Sequence, residues 1–324
     1  MKAPESNREI LSLIEDRLSL LVGSGEPACL YEPMAYLVRA GGKRIRPLML
    51  ALSCGCAGGR IEDAIDAAAA VELLHTFTLV HDDIMDHDDL RRGLPTVHRK
   101  WDDATAILAG DGLVTLAYLS LIKTRVRLQE VLELFTAALL ELCKGQALDK
   151  DFEGRSEVSQ KEYLDMIDKK TGMLIRASCA IGSLIGSGNP VQVKALENFG
   201  RTLGRAFQIQ DDILDLEADE SVFGKPQGSD LMARKKTSII IHFLSRAGER
   251  DKKAFLKLWN AAVLNRQAIA EARRLFENAG IFREVRAWVN DLVDEALLYT
   301  EVFGDNPARA ALRQLARQIQ TRVS

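Results

Sequence analysis

Two acidic pentapeptides stand far apart in this chain, and each ends an apolar stretch: Asp82-Asp83-Ile84-Met85-Asp86 and Asp211-Asp212-Ile213-Leu214-Asp215. On an α-helix, positions i and i+4 share a face, so each pentapeptide presents two carboxylates one turn apart. Like charges in that geometry repel by roughly a few tenths of a kcal/mol per pair, and by more as solvent is excluded. Hard divalent cations are the natural compensation, and a phosphate-rich substrate would complete their coordination.

Basic residues accompany both pentapeptides. Lys43 and Arg46 lie one helical turn apart after a glycine pair that would let the backbone approach an anion. The doublet Arg91-Arg92 would either clamp a phosphate or only neutralise neighbouring aspartates. The second pentapeptide is flanked by Lys169-Lys170-Thr171, by the glycine- and lysine-rich loop 224–228 and by the basic segment 234–237. That loop suits a mobile phosphate lid, although a solvated turn has the same composition.

The overall composition narrows the class of protein. The chain has 324 residues, of which 47% are hydrophobic and 27% charged, enough for a large core. Its formal net charge of −3 gives no basic field for nucleic acid. Five scattered cysteines show no zinc-type spacing, which indicates reduced core thiols.

The N-terminus lacks an apolar signal sequence. Asp111 interrupts the apolar run 104–122, and Glu72 and His75 interrupt the run 67–80. We therefore expect no transmembrane segment and predict a cytoplasmic enzyme.

Apolar residues recur at helical spacing almost throughout, with no alternating strand pattern. The periodic segments lie near 10–21, 34–54, 61–85, 104–123, 130–147, 160–186, 191–216, 237–247, 252–278, 282–300 and 306–321. Glycine and proline clusters separate several of these segments. None of the clusters is long enough to be a flexible linker. The pattern predicts an all-α fold, a single domain spanning 1–324 in which central apolar helices are surrounded by outer ones.

In order and spacing, these motifs resemble those of the trans-isoprenyl diphosphate synthases, also called polyprenyl synthetases. The resemblance runs from about residue 30 to 245 and rests on five elements: Gly41-Gly42-Lys43-Arg44-Ile45-Arg46-Pro47, the first pentapeptide with Arg91-Arg92-Gly93, Lys170-Thr171, Phe207-Gln208 leading into the second pentapeptide, and the segment from Gly224 to Thr237. It implies an all-helical isoprenoid synthase fold and a homodimer. For that homodimer, the alanine-rich stretches 64–70 and 104–109 are candidate contacts, with core packing as the alternative for both.

The resemblance also implies residue roles. Three Mg²⁺ ions would be held by Asp82, Asp86 and Asp211, with Asp83, Asp212 and Asp215 in direct or water-mediated support. An allylic diphosphate would be bound by Arg91, Lys170, Lys225 and Lys235, with Lys236 as an alternative to Lys235. The diphosphate of isopentenyl diphosphate would be bound by Lys43, Arg46, His75 and Arg92, and Phe207 would pack on that substrate. Thr171 and Gln208 would lie near the reacting carbons, and Lys170, Thr171, Gln208 and Lys225 would be the catalytic residues.

The implied reaction is a metal-assisted 1′-4 coupling of isopentenyl diphosphate to a dimethylallyl, geranyl or farnesyl primer. Metal ions and basic residues would stabilise the departing diphosphate, and a closed, dry site would protect the allylic cation. The same diphosphate would then take the proton that the product loses.

Residues ahead of the first pentapeptide bear on product length. Leu74 and Thr78 would line the path of the growing chain, and Phe77 would form its floor or would be an ordinary core aromatic. Phe77 followed by Thr78, with no insertion in the pentapeptide, resembles archaeal-type geranylgeranyl diphosphate synthases. We predict a twenty-carbon product, with farnesyl and farnesylgeranyl diphosphate as alternatives.

Two rival functions come from other classes. A class I terpene cyclase would ionise the same kind of substrate but would not need Lys43, Arg46 and Arg92. A non-catalytic subunit of a heteromeric synthase would be expected to lose acidic ligands, whereas both pentapeptides are intact.

Overall fold

The structure is a computed structural model that describes residues 6–23, 25–217, 227–261 and 264–320. Contacts divide the described residues into two compact units. The first unit takes its residues from 1–139, 174–200 and 299–314, and the second from 140–173, 201–298 and 315–320. The predicted single domain over 1–324 stays a prediction.

Helices form most of the described chain, which confirms the predicted all-α class. Up to residue 121 they are α1 (Asn7–Val22), α2 (Ala28–Arg39), α3 (Ile45–Cys56), α4 (Ile65–Met85), α5 (Val97–Lys100) and α6 (Asp103–Leu121), with a 3₁₀ turn at Ile61–Ala64. They continue as α7 (Leu128–Gly154), α8 (Gln160–Ile167), a π-helical turn (Asp168–Gly172), α9 (Met173–Ile185), α10 (Pro190–Glu217), α11 (Ser229–Met232), α12 (Ser238–Arg246), α13 (Glu249–Trp259), α14 (Arg266–Asn278), α15 (Ile281–Leu298), a 3₁₀ turn (Tyr299–Val302) and α16 (Pro307–Gln320). Two short strands, β1 (Leu90–Arg91) and β2 (Leu94–Pro95), pair antiparallel and were not predicted.

Two of the predicted helical segments are each a pair of helices. The segment 34–54 breaks between α2 and α3, where Gly41, Gly42 and Arg44 have positive φ angles of 75°, 146° and 47°. A right-handed helix cannot continue through such residues. The segment 252–278 breaks between α13 and α14, and the side chain of Asn265 caps the new helix by accepting from the backbone N–H of Ala268 at 2.9 Å.

In the first unit, α4 is the central helix and packs most extensively on α6, with α1, α2 and α3 also against it. Its alanines at 67–70 are fully buried, and so is Leu74. Small side chains let neighbouring helices approach closely: a Cβ atom at Gly110 of α6 would lie 2.2 Å from the ring of His81. This packing fixes the end of α4, where the first acidic pentapeptide lies.

The core of the second unit contains a cluster of aromatic rings. Phe243 of α12 lies 5.4 Å from Phe255 and 4.9 Å from Phe276, measured between ring centroids, at edge-on angles. Such pairs add about 0.5–1.5 kcal/mol each beyond their burial. The cluster anchors α12, whose first turn reaches the second acidic pentapeptide.

The prediction of buried thiols is correct for some cysteines. Cys54, Cys56 and Cys179 are buried, and burial raises the pKa of each thiol to about 12. Cys29 and Cys143 are exposed, so for them the prediction was wrong.

Helix α6 is long and apolar enough to cross a membrane by length and composition alone, since Asp111 does not lower its mean hydropathy sufficiently. A core helix of a soluble protein passes the same test. One face of α6 packs on α4 and α2.

Candidate active site

The first acidic pentapeptide ends α4 and has two different faces. Asp82 and Asp86 are partly exposed and stand one turn apart, with the backbone N–H of Asp86 donating to the carbonyl of Asp82 at 2.8 Å. Asp83 is only 1% exposed, and its carboxylate accepts from the guanidinium of Arg91, with an Nε–Oδ1 distance of 2.8 Å. The motif therefore leaves Asp82 and Asp86 partly exposed and uses the carboxylate of Asp83 to hold an arginine.

A tight hairpin explains why the adjacent Arg91 and Arg92 have different binding partners. Strands β1 and β2 are joined by Arg92 and Gly93, whose φ angles of 55° and 74° have the sign that a type I′ turn requires at both central residues. Arg91, on the strand, is bound to Asp83 and to Asp88. Arg92, at the turn, donates from Nη1 to the backbone carbonyl of Gly41.

The pKa values of the two arginines move in opposite directions. Burial lowers the pKa of Arg91, but the charge and hydrogen bond of Asp83, together with the charges of Asp88 and Asp82, outweigh it, so the net shift is upward. Burial lowers the pKa of Arg92, Glu72 opposes this shift, and the charges of Arg44 and Arg91 add to it, so the net shift is downward. An arginine held by a neutral carbonyl among other cations favours an anionic ligand.

The glycine pair at 41–42 leaves room for Arg92. A Cβ atom at Gly42 would lie 3.0 Å from the guanidinium carbon of Arg92, and its φ of 146° also favours glycine. Beyond this turn, Lys43 is exposed and α3 begins at Ile45. The structure thus brings Arg92 against the turn that carries Lys43.

Arg46 lies in the first turn of α3 and meets His75 of α4. Its Nη1 atom is 3.2 Å from Nε2 of His75. An arginine always donates, so Nε2 accepts and the imidazole is neutral with its proton on Nδ1. Burial, together with Arg46, Arg92, Arg91 and Arg44, lowers the pKa of His75 well below its usual range, which agrees with a neutral ring.

The second acidic pentapeptide lies on α10. Asp211 is partly exposed, whereas Asp212 and Asp215 are each 3% exposed. Asp212 accepts three hydrogen bonds, from the hydroxyl of Tyr163 at 2.5 Å, the backbone N–H of Ser238 at 2.8 Å and the amide of Gln208 at 3.0 Å. Burial raises its pKa to about 6.

Asp215 contacts the first residues of α11. It accepts from the hydroxyl of Ser229 at 2.6 Å and from the backbone N–H of Asp230 at 3.2 Å. Burial and the charge of Asp230 raise its pKa to about 7. The expected pair of outward carboxylates at i and i+4 is therefore not what α10 presents, since only Asp211 of that pair keeps partial exposure.

The predicted Lys170-Thr171 pair lies on the π-helical turn between α8 and α9. A Cβ atom at Gly145 of α7 would lie 2.3 Å from the backbone nitrogen of Lys170, and one at Gly204 of α10 would lie 2.6 Å from the Cα atom of Gly172. Because these two positions are glycines, α7 and α10 can pack closely against the turn. Lys170 forms an ion pair with Asp149 of α7.

Thr171 connects this turn to α10. Its hydroxyl donates to the side-chain oxygen of Gln208 at 2.7 Å, and the Gln208 amide nitrogen donates to Asp212. Gln208 is therefore fixed in orientation from both ends. Phe207, its neighbour, is 9% exposed.

The basic segment after α11 separates two lysines that the sequence left as alternatives. Lys235 lies 3.8 Å from Asp230, next to the acidic motif. Lys236 instead donates to the backbone carbonyls of Phe152 and Glu153, at 2.7 and 3.1 Å, near the end of α7. Lys225 and Gly224 lie outside the described residues.

The residues expected to set product length lie on α4. Phe77 and Thr78 are partly exposed, and Leu74 is fully buried in the first unit. The Phe77 ring contacts His81 edge-on, with centroids 4.7 Å apart. The Thr78 hydroxyl donates to the backbone carbonyl of His75 at 2.8 Å.

A hard divalent cation needs several oxygen donors. Among the described residues, no group of three or more His, Cys, Asp or Glu side chains is arranged as a metal centre. Asp82 and Asp86 nevertheless fit one, because they are partly exposed hard oxygen donors one turn apart while Asp83 is bound to Arg91. Substrate oxygens would have to complete the coordination.

Four residues that hold the candidate site in place were not singled out from the sequence: Arg44, Glu72, Asp149 and Tyr163. Arg44 binds Glu72, Asp149 binds Lys170, and Tyr163 binds Asp212. Glu72 could have been found from the sequence, because a glutamate inside an apolar helix needs a buried partner. Tyr163 and Asp149 have no such signal, because neither is a charged residue inside an apolar run.

The family comparison agrees with the geometry. The family model described as "Polyprenyl synthetase" matches residues 27–276. The chain belongs to the polyprenyl synthetase family.

Relatives within this polyprenyl synthetase family cover nearly the whole chain. A short chain isoprenyl diphosphate synthase of Methanothermobacter thermautotrophicus is 39% identical over 98% of this chain and 97% of its own length. A geranylgeranyl diphosphate synthase of Methanosarcina mazei is 38% identical, with coverages of 94% and 93%.

Solved structures extend the comparison to the fold. A geranylgeranyl pyrophosphate synthetase from Pyrococcus horikoshii has a TM-score of 0.91 at 40% identity, with 98% of this chain and 97% of that chain covered. A polyprenyl synthase from Caulobacter crescentus, solved in complex with calcium and isoprenyl diphosphate, has a TM-score of 0.88 at 30% identity, with coverages of 98% and 94%.

Proposed function

We propose that this polyprenyl synthetase couples isopentenyl diphosphate to an allylic diphosphate, releases diphosphate, and makes geranylgeranyl diphosphate as its main product. The proposal rests on the different binding partners of three arginines in the first unit. Arg91 binds carboxylates, whereas Arg92 binds the Gly41 carbonyl and Arg46 binds neutral His75. Arg92 and Arg46, with exposed Lys43 near them, supply positive charge for a second diphosphate that a single-substrate enzyme would not need.

Residues of each unit have proposed roles of their own. In the first, Asp82 and Asp86 hold Mg²⁺, with the neighbouring Asp83 anchoring Arg91 toward the allylic diphosphate. In the second, Asp211 would be the metal-binding carboxylate, and Asp212 and Asp215 bind the first residues of α12 and α11. Bound Mg²⁺ would neutralise charge on the diphosphate that leaves.

The residues of the π-helical turn and α10 would act at the reacting end of the substrate. The allylic carbon–oxygen bond breaks with its electrons going to the diphosphate, and the double bond of isopentenyl diphosphate then forms the new carbon–carbon bond. Lys170 and Lys235 would stabilise charge on the departing diphosphate. Thr171 and Gln208, fixed by their mutual hydrogen bond, would place oxygen dipoles near the cation, and Phe207 would exclude water beside them. The proton lost from the new product would pass to the released diphosphate.

The test uses purified protein, Mg²⁺ and radiolabelled isopentenyl diphosphate with dimethylallyl, geranyl or farnesyl diphosphate as primer. We expect label in a twenty-carbon prenyl diphosphate, resolved by chromatography after dephosphorylation. Consumption of the primer without label in the product would support a class I terpene cyclase instead. A chain that turns over only after a partner protein is added would support a non-catalytic subunit, and a main product of fifteen or twenty-five carbons would correct the chain length.

We also propose a homodimer formed through α6. Its outer face carries the exposed apolar side chains Ile107, Leu108 and Leu119, at 47%, 59% and 49% exposure, and Ile122 follows at 51%. The stretch 64–70 is excluded as a contact because its alanines are buried in the first unit. Light scattering after size exclusion should give twice the chain mass, and Leu108→Asp with Leu119→Asp should give monomers. A wild-type monomer would rule out the dimer.

Two further predictions belong to the same proposal. A single domain over residues 1–324 predicts one cooperative thermal transition by calorimetry, whereas two separate transitions would indicate two domains. A cytoplasmic location predicts that the expressed protein stays in the supernatant when cell membranes are sedimented.

A further inference from the structure

Arg44 occupies an unusual backbone conformation for its residue type. It precedes the first residue of α3, between Lys43 and Arg46, with φ 47° and ψ 37° in the left-handed region. For a residue with a side chain this conformation costs about 1–2 kcal/mol, and it persists where the surroundings determine it. Glycine would adopt it more easily, so the arginine side chain must supply something that glycine cannot.

The side chain joins three helices. Arg44 is 4% exposed, and its guanidinium donates from Nε to Glu15 of α1, from Nη1 to Glu72 of α4 and from Nη2 to the carbonyl of Val38 of α2, each at 2.7 Å. A planar fork can direct donors to three partners at once, which a lysine ammonium cannot do with the same geometry.

This arginine is unsuited to binding substrate itself. Two carboxylates face its single positive charge, and its side chain is 2% exposed. Its effect must therefore pass through its neighbours in the chain.

Helix α4 holds the Gly41–Pro47 segment at two points. Glu72 and His75 are three residues apart on α4, one helical turn, so they lie on the same face. Glu72 binds Arg44 and His75 binds Arg46. The backbone from Arg44 to Arg46 is therefore fixed relative to α4. Lys43, which is exposed, directly precedes this fixed backbone.

We propose that Arg44 is a positioning residue for the second diphosphate site: its bonds to Glu15, Val38 and Glu72 set Lys43 and Arg46 in place to receive isopentenyl diphosphate. This proposal rests on the function proposed above. It predicts a selective defect, because the allylic diphosphate is assigned to other residues.

The test compares Arg44→Lys, Arg44→Gly and Glu72→Gln with the wild type. Arg44→Lys keeps the charge and loses the fork, and Arg44→Gly relieves the left-handed backbone while deleting the side chain. We expect the KM for isopentenyl diphosphate to rise about tenfold or more in all three, since a shift of about 1 Å in a binding group has effects of this size. The KM for geranyl diphosphate should stay within about twofold of wild type.

A matched control comes from another ion pair between α1 and α4, two of the three helices that Arg44 joins. Arg17 of α1 and Asp66 of α4 form an ion pair at 2.8 Å, and both side chains are partly exposed. Arg17→Lys should lower Tm by no more than the Arg44 variants do and should leave both KM values unchanged.

Three outcomes would overturn the proposal. These are an unchanged KM for isopentenyl diphosphate in Arg44→Gly, an equal rise in both KM values in Arg44→Lys, or the same selective rise in the Arg17→Lys control. If the wild type does not incorporate isopentenyl diphosphate at all, the proposed function fails separately. Calorimetric binding of inorganic diphosphate then decides about Arg44: weaker binding in Arg44→Lys than in Arg17→Lys supports the positioning role, and equal binding overturns it.

Discussion

The hydroxyl of Thr171 donates a 2.7 Å hydrogen bond to the side-chain oxygen of Gln208. The amide nitrogen of Gln208 then points at Asp212, which orders the side chains from the π-helical turn across to α10. A glutamine held at both ends presents one fixed dipole. Such fixed dipoles stabilise developing charge without having to reorient.

Thr171→Val keeps the shape of the side chain and removes the donor. Gln208 then loses the partner that sets its orientation, so we expect kcat to fall by about tenfold or more, comparable to the loss of one oriented dipole. Ser245→Ala is the control, because the Ser245 hydroxyl donates only locally, to the carbonyl of His242. Steady-state kinetics with saturating substrates measure the effect. A kcat equal to wild type in Thr171→Val would show that the hydrogen bond has no catalytic part.

Asp211→Asn and Asp212→Asn should fail in different ways. Asp211 is partly exposed and is the proposed Mg²⁺ ligand, so its variant should need far more Mg²⁺ for activity while keeping its Tm. Asp212 is buried and accepts three hydrogen bonds, and an asparagine amide would point a donor at one of those donors. We expect Asp212→Asn to lower the free energy of unfolding by about 1–3 kcal/mol. Equal Mg²⁺ requirements and equal Tm values in the two variants would contradict this division.

The sequence could not distinguish these two neighbours. Helical spacing places both carboxylates in one motif, but their partners Tyr163 and Ser238 come from distant parts of the chain. Long periodic helices were predictable because their apolar faces repeat at 3.6 residues. The break at Gly41–Arg44 was missed because apolar periodicity continues across it, although the glycine pair was visible. The π-helical turn depends on close approach by Gly145 and Gly204, which no local pattern shows.

Asp215 gives a pH dependence of stability. Burial and the charge of Asp230 raise its pKa from 3.8 to about 7, so the folded protein favours the protonated carboxyl. Its contribution to stability is complete below about pH 4 and is lost as the pH rises through about 7. Asparagine stays neutral, so Asp215→Asn should be more favourable relative to wild type at pH 8 than at pH 5.

The measurement is the free energy of unfolding in denaturant without Mg²⁺, at pH 5 and pH 8. Asp294→Asn, at an exposed position of α15, is the control and should show the same difference from wild type at both values. A difference between Asp215→Asn and wild type that does not change with pH would mean that the folded carboxyl has its ordinary pKa.

Gly145→Ala tests the close approach that holds the π-helical turn. The new methyl carbon would lie 2.3 Å from the backbone nitrogen of Lys170 and 2.6 Å from its Cα atom, so the turn must move. We expect kcat to fall by about tenfold or more, because Lys170 and Thr171 move with the backbone. Gly154→Ala is the matched control on the same helix, since a Cβ atom there meets nothing within 4 Å. It should keep full activity with equal or higher Tm, and equal activity of the two variants would show that the turn tolerates displacement.

Phe77→Ala tests the floor of the chain-elongation path. The ring lies on α4 ahead of the first acidic pentapeptide and is steadied by its edge-on contact with His81, whose ring in turn packs at Gly110. Removing the ring leaves space where the growing prenyl chain would otherwise stop, so products longer than twenty carbons should accumulate with every primer. Phe77→Tyr keeps the ring and should keep the wild-type distribution. Chromatography of the dephosphorylated products measures both variants. If Phe77→Ala lowers Tm and leaves the distribution unchanged, the ring is a core aromatic and other residues set the length.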